Sequence, residues 1–323
     1  MMTEMRPGRR ASLAALSAAI LCALVISLPA SAQVGAVHWT QRFPATSPPA
    51  RFGTALAYDA RHGVVVMFGG FSAGGSLLND TWVWNGANWQ QRFPSSSPPA
   101  RHYHFMAYDS AHHGVVLFGG LDQTGWRGDT WTWDGTNWTE RHPATSPAAR
   151  AGNNSLADDP GRGGLILFGG YDGAQSYNDT WKWNGSNWVQ VFPAHSPTSG
   201  SPSLAFSPGL GQLVLFGLGQ QTWTFTGTDW IQLFPPTSPP DRSFNGVARA
   251  GGGVAIFGGS GSSGVLGDTW HFNGTTWTEL AGSEPSARQY VSMALDTRHG
   301  KVVLFGGYDF GGRILGDTWT LGP

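Results

Sequence analysis

Asp80-Thr81-Trp82-Val83-Trp84-Asn85-Gly86-Ala87-Asn88-Trp89 is the stretch whose reading decides the fold. It returns as Asp129 to Trp138 and as Asp179 to Trp188, and in weaker form as Gln221 to Trp230 and Asp268 to Trp277. Half a copy, Asp317-Thr318-Trp319, ends the chain. Trp82 and Trp84 are two residues apart, so on a strand they face the same side. Asn85-Gly86 tolerates the positive φ of a tight turn and lets that strand reverse into another at Trp89. Recurrence at a near-fixed period marks a repeat architecture.

Working outward, the same order of features recurs. Arg51 follows Trp39 by 12 residues; the same step separates Trp89 from Arg101, Trp138 from Arg150, and Trp230 from Arg242, and Arg288 follows Trp277 by 11. After each Arg comes a short small-residue and apolar run such as Thr54-Ala55-Leu56-Ala57-Tyr58, then a turn, Asp59-Ala60-Arg61-His62-Gly63. A continuous apolar run follows and ends in Gly-Gly: Val64-Val65-Val66-Met67-Phe68-Gly69-Gly70. Its counterparts end at Phe118, Phe168, Phe216, Phe257 and Phe305, at spacings of 50, 50, 48, 41 and 48. Each unit reads as four short antiparallel strands, A to D, with the Arg at the start of A, Gly-Gly at the end of B, and Asp-Thr-Trp in C. A single such sheet cannot bury both faces; stacking the sheets radially covers each face with a neighbour.

These units resemble kelch repeats: strand B ending in Gly-Gly, a variable loop, an aromatic strand C, and a Trp seven residues after the strand C Trp. The resemblance spans residues 33–323 and implies an all-β, six-bladed β-propeller of four-stranded antiparallel blades. The last unit stops before any strand D, and His38-Trp39-Thr40-Gln41 looks like a strand D without a blade. The N-terminal strand is therefore expected to complete the last blade, which hides the open sheet edges.

Composition agrees. With 323 residues the chain exceeds what one conventional core fills comfortably, and its 47 Gly and 21 Pro lie between aromatic and β-branched runs, as turns do. Residues 1–32 read as a signal peptide: Arg6, Arg9 and Arg10, an apolar run from Ala14 to Leu28, then Ala30-Ser31-Ala32, with cleavage after Ala32. The apolar run is short for a membrane span, so a secreted, periplasmic or cell-surface protein with no span after cleavage is expected. The sole cysteine, Cys22, lies in this leader, which leaves a mature chain without disulfide or thiolate chemistry. Removing the leader leaves 16 basic against 19 acidic residues, a balance that argues against a nucleic-acid partner. The expectation is a monomer without cofactor or metal, whose partner is a protein or a glycan.

Strand direction sorts the loops. The D–A linkers, the B–C loops and the start of each strand A share one face, and the A–B turns and Asn-Gly turns share the other. The longer loops make the first face the binding face. Arg51, Arg101, Arg150, Arg242 and Arg288 would line its mouth, with Ser199 in the blade-four position. In kelch adaptors of ubiquitin ligases such arginines help hold acidic peptides, so the resemblance implies an anionic ligand held by bidentate hydrogen bonds. Against this, a residue repeated in nearly every blade is usually scaffold, tied to a neighbouring carbonyl or an Asp. Tyr171 and Tyr308 follow Gly-Gly at the start of B–C loops, and Asn153 and Asn154 lie near the same mouth. Trp126, the one Trp outside a repeat position, could stack on a sugar ring or pack its own loop. His102 and His104 share a strand face and could begin a metal site, but no third ligand is placed with them. The repeated Asp of Asp-Thr-Trp reads as a cap or turn acceptor, and His62, His112, His113 and His299 as solvated turn residues. Blade four departs most: only seven residues separate Phe216 from Trp223, against 13 or 14 elsewhere, so a missing loop should open one side of the rim.

Three functions compete: an extracytoplasmic binding module, an exported sugar-modifying enzyme such as a kelch-type sialic acid epimerase, and a structural surface protein. Kelch-fold radical copper oxidases require a Cys–Tyr cross-link, which a cysteine-free mature chain excludes. The three glutamates of the mature chain, Glu140, Glu279 and Glu284, fall in or just after strand D, a poor place for an active-site acid.

Overall fold

Strand B does not end at Gly-Gly as expected but runs on through it, to Ser72 in the first blade, and Gly-Gly marks a bulge whose geometric reason is visible there. Gly69 and Gly70 have φ of 63° and 103°, and the B–C ladder shifts register between Phe68 and Gly70. A Cβ on Gly69 would lie 2.7 Å from the Arg101 carbonyl of the next blade. The bulge thus lets a neighbouring strand A approach, and Gly70 N–H donates to that carbonyl at 2.8 Å. Blade four, with Phe216-Gly217-Leu218, has no such shift; Gly217 pairs directly with Gln221.

A computed structural model describes residues 37–323, with 153, 199 and 201 excepted. These residues form six antiparallel sheets. In the first, strand A comprises Arg51–Phe52 and Ala55–Asp59, followed by Val64–Ser72 (B), Leu77–Trp84 (C) and Trp89–Arg92 (D). The six A strands are consecutive neighbours around a central bore, and the circle closes from Ser292–Asp296 of blade six to Ala55–Asp59 of blade one. His38–Arg42 pairs antiparallel with Ile314–Gly322, with Trp39 opposite Leu321 and Arg42 opposite Thr318. The N-terminal strand is strand D of the last blade, as the sequence predicts. The expected signal peptide, residues 1–32, lies outside the described residues. No helix among the described residues is long and apolar enough to cross a membrane.

The Trp that begins each strand D holds one blade to the preceding one. Its indole Nε1–H donates to the threonine just before the strand C Trp there: Trp138 to Thr81, Trp188 to Thr130, Trp230 to Thr180, Trp277 to Thr222, Trp39 to Thr269 and Trp89 to Thr318, all at 2.8–3.0 Å. The same rings pack on the strand B phenylalanines of that blade, for example Trp138 on Phe68 and Trp39 on Phe257, both with centroids 5.3 Å apart. Each indole is thereby buried with its polar atom satisfied.

The turn histidines are exposed, as expected, but they are also tied down. His62, His112 and His299 bond Asp59, Asp109 and Asp296 through Nδ1 at 2.7–2.8 Å. Their rings lie against Gly135, Gly185 and Gly86 in the C–D turns of the next blade. They are interblade contacts, and they place A–B and C–D turns on one face, as expected from strand direction.

Candidate binding site at the mouth of the bore

The five repeated arginines begin strand A at the B–C loop end, but not as an open rim. Arg51, Arg101, Arg150, Arg242 and Arg288 are buried, none more than 2% exposed. Each guanidinium grips the Asp of its own blade with two parallel bonds: Arg101 reaches both Asp129 oxygens at 2.7 Å, and Arg242 reaches Asp268 at 2.7 and 2.6 Å. Asp80, Asp179 and Asp317 pair likewise with Arg51, Arg150 and Arg288. Nε bonds the carbonyl two residues back, and Nη1 also bonds the first bulge-glycine carbonyl, as Arg51 does with Pro49 and Gly69. Burial alone would raise the carboxyls of Asp129, Asp268 and Asp317; the arginine bonds and charge, helped by Trp131, Trp270 and Trp319, hold them below the usual carboxylate range. The acceptor role of the repeated Asp is thus toward the strand A arginine and the strand C indole rather than a turn.

What faces the mouth is aromatic. Two residues after the Arg, in blades two, five and six, stand Tyr103, Phe244 and Tyr290, each with φ of 55–60°. Bulky side chains rarely adopt this backbone region, and it is characteristic of functional and strained sites. The surrounding hydrogen bonds fix it: Tyr103 N–H donates to Gly53, Gly152 N–H to Tyr103, Gly53 N–H to Tyr290 and Tyr290 N–H to Phe244, at 2.8–3.1 Å. The rings gather over the axis, Phe244 to Tyr290 at 4.5 Å, Tyr103 to Tyr290 at 5.1 Å and Phe52 to Tyr308 at 5.4 Å. Beside them opens a pocket of about 250 Å³ lined by Tyr103, Trp126, Tyr171, Phe244 and Tyr290, with Ala151, Gly152 and Ser176 completing the lining. Trp126 meets Tyr171 edge to face at 5.5 Å. The Tyr171 hydroxyl donates to Gly173 O, and its ring stays 40% exposed. Among the described residues no charged side chain lines this pocket, and none of blade four contributes to its walls.

The other expected residues divide. Tyr308 joins the aromatic cluster through Phe52. His102 stacks on Tyr103 at 4.1 Å; burial pulls its pKa down to about 4, and its Nδ1 has no hydrogen-bond partner among the described residues. His104 lies deeper, fully enclosed against Phe68, and burial keeps it neutral, with the Arg101 charge adding to the effect. Among the described residues no group of three or more His, Cys, Asp or Glu is arranged to hold a metal. Asn154 is partly buried. With φ of 59°, it crosses the bore and donates to the carbonyls of Asn245 and Val291 at 3.0 and 2.8 Å, while Ser292 Oγ donates to its Oδ1. Asn153 lies outside the described residues, as does Ser199. Tyr103, Phe244 and Tyr290 were missed by sequence reading, although a fixed offset of two from the repeated Arg marks them.

Residues 32–217 match the KLHDC2/KLHL20/DRC7 Kelch-repeats domain family. No curated protein matches the chain significantly. The match covers more than half of the sequence, and the six blades continue the same repeat beyond it: the chain belongs to the kelch-repeat β-propeller family.

Proposed function

We propose that this propeller is an extracytoplasmic, non-catalytic binding module that recognises its partner through the aromatic pocket at the B–C loop end. A kelch propeller suggests an interaction module, and the leader at residues 1–32 suggests export. The observation that carries the reading is the pocket itself, with Trp126 and Tyr171 presenting rings at the rim and Tyr103, Phe244 and Tyr290 forming the wall toward the axis. Rings so arranged favour stacking on a flat apolar surface. The arginines, each matched by an aspartate, give little net charge to attract an anion. The partner group is therefore an uncharged ring, such as a pyranose displayed on a glycan surface.

The test is an array of neutral and acidic glycans, together with acidic peptides, probed with the wild type and with Trp126→Ala and Tyr171→Ala. Neutral glycans should be retained, and each variant should lose roughly tenfold in affinity, the equivalent of about 1.4 kcal/mol. Selective retention of acidic peptides, or retention unchanged by both substitutions, would contradict the assignment. An enzyme would instead turn a sugar over without stoichiometric retention.

A further inference from the structure

Asp158 sits at the opposite end of the molecule from the aromatic mouth, where strand A of blade three, Leu156–Asp158, runs out into its turn. It borders a second cavity, of about 340 Å³, that begins beneath Asn154 and reaches the A–B turns at Ala60, Ser110, Pro160 and Thr297. The bore walls are aliphatic, with Leu56, Met106, Leu156, Leu204 and Met293 among them; nearer the turns come the rings of Tyr58, Tyr108 and Phe206. Among the described residues Asp158 is the sole acid of this lining, and Arg249, exposed on the surface, is its sole base.

The neighbouring turn carboxylates all have a basic partner. Asp59, Asp109 and Asp296 have His62, His112 and His299, and Asp159 has Arg162 at 3.2 Å. Asp158 has none: its polar partner among the described residues is Ser110, whose N–H lies 3.3 Å from Oδ1. Burial pushes its carboxyl up to about 6, and the negative charges of Asp109 and Asp159 add to the rise. A partly buried carboxylate without a counter-ion is costly, and a cation that reaches it removes that cost. Aromatic faces close to such a carboxylate attract the same kind of ion. One carboxylate in an aliphatic bore supplies too few oxygens for a metal ion, whereas an organic ammonium ion brings its own apolar body.

We propose that the A–B turn end of the bore binds a small organic ammonium ion, with Asp158 as counter-ion, the Tyr58, Tyr108 and Phe206 rings around the cationic head, and the aliphatic wall around its alkyl part. This site is separate from the aromatic mouth and does not depend on what that pocket recognises.

The experiment titrates the full chain with n-butylammonium and tetramethylammonium by calorimetry at about pH 7.5, where the carboxyl is ionised. Butyrate and n-butanol serve as the anionic and neutral comparisons. Saturable binding of at least one ammonium ion below about 10 mM is expected, with Asp158→Asn weakening it roughly tenfold or more and Trp126→Ala leaving it unchanged. Asp158→Asn removes an uncompensated buried charge, so it should fold at least as well as the wild type, which thermal unfolding checks. The proposal is overturned if neither ammonium ion saturates, if butyrate binds in their place at Arg249, or if Asp158→Asn binds them as the wild type does.

Discussion

Arg101 shows how a repeated residue can be legible in sequence while its partner is not. Its recurrence was plain, and so was that of Asp129, but they are 28 residues apart with strand B between them. The signal that joins them is covariation inside the chain: blade four, with Ser199 and Gln221, lacks both the Arg and the Asp. Arg101→Ala leaves Asp129 buried beside an empty guanidinium site, and should cost about 3–5 kcal/mol in urea unfolding. Tyr171→Ala, at an exposed ring, should cost less than about 1 kcal/mol in the same measurement. Equal losses would mean that the mouth aromatics, too, are scaffold. The carboxylates also set opposite pH dependences. Asp129, Asp268 and Asp317 titrate below their unfolded values, so their contribution is complete above the ordinary carboxylate range and fades as pH falls below about 4. Asp158, raised to about 6, acts in the other direction: its contribution is present below about 4 and is lost as pH rises through 6. Asp158→Asn should therefore exceed the wild type by about 2–3 kcal/mol near pH 7.5, with the gap closing toward pH 4. A gap that does not change between those pH values would show that the carboxyl is not perturbed by folding.

At the scale of the element, the blade is a unit with one face finished by its neighbour. The strand D Trp is nearly inaccessible, yet half of its hydrogen-bond logic belongs to the preceding blade: Trp138 Nε1–H reaches Thr81, 57 positions earlier. Sequence spacing revealed the indoles as packing residues but not the threonine acceptors, because a Thr beside a Trp on a strand looks like ordinary β-propensity. Thr81→Val keeps the shape and leaves the indole N–H buried without an acceptor, so it should destabilise by about 1–3 kcal/mol. In a Trp138→Phe background the same substitution should cost far less, and equal costs in both backgrounds would deny the contact. The turns carried a quieter signal. Asp-x-x-His in Asp59-Ala60-Arg61-His62, Asp109-Ser110-Ala111-His112 and Asp296-Thr297-Arg298-His299 recurs too regularly for free surface residues, and in each the Asp–His bond and the next blade's turn glycine account for it.

The whole molecule depends on one joint. Sequence alone indicated blade number, strand order and the last blade's missing strand, since each follows from a repeat and its phase. The mouth was less legible, because its aromatics occupy a position that holds glycine in blades one and three, Gly53 and Gly152, and therefore does not repeat by type. Both cavities exist only because six A strands close around an axis, and that closure is made by His38–Arg42 against Ile314–Gly322. Thr40 stands directly opposite Thr320, where paired Cβ atoms on an antiparallel ladder lie about 4.5–5.5 Å apart, near disulfide reach. With Cys22 replaced by Ser, the body of the chain has no other thiol. Mass spectrometry of Thr40→Cys/Thr320→Cys in that background is the direct measurement. The ring described here predicts an intramolecular disulfide under mild oxidation and a higher unfolding temperature, whereas two persistently free thiols in a folded protein would contradict the closure.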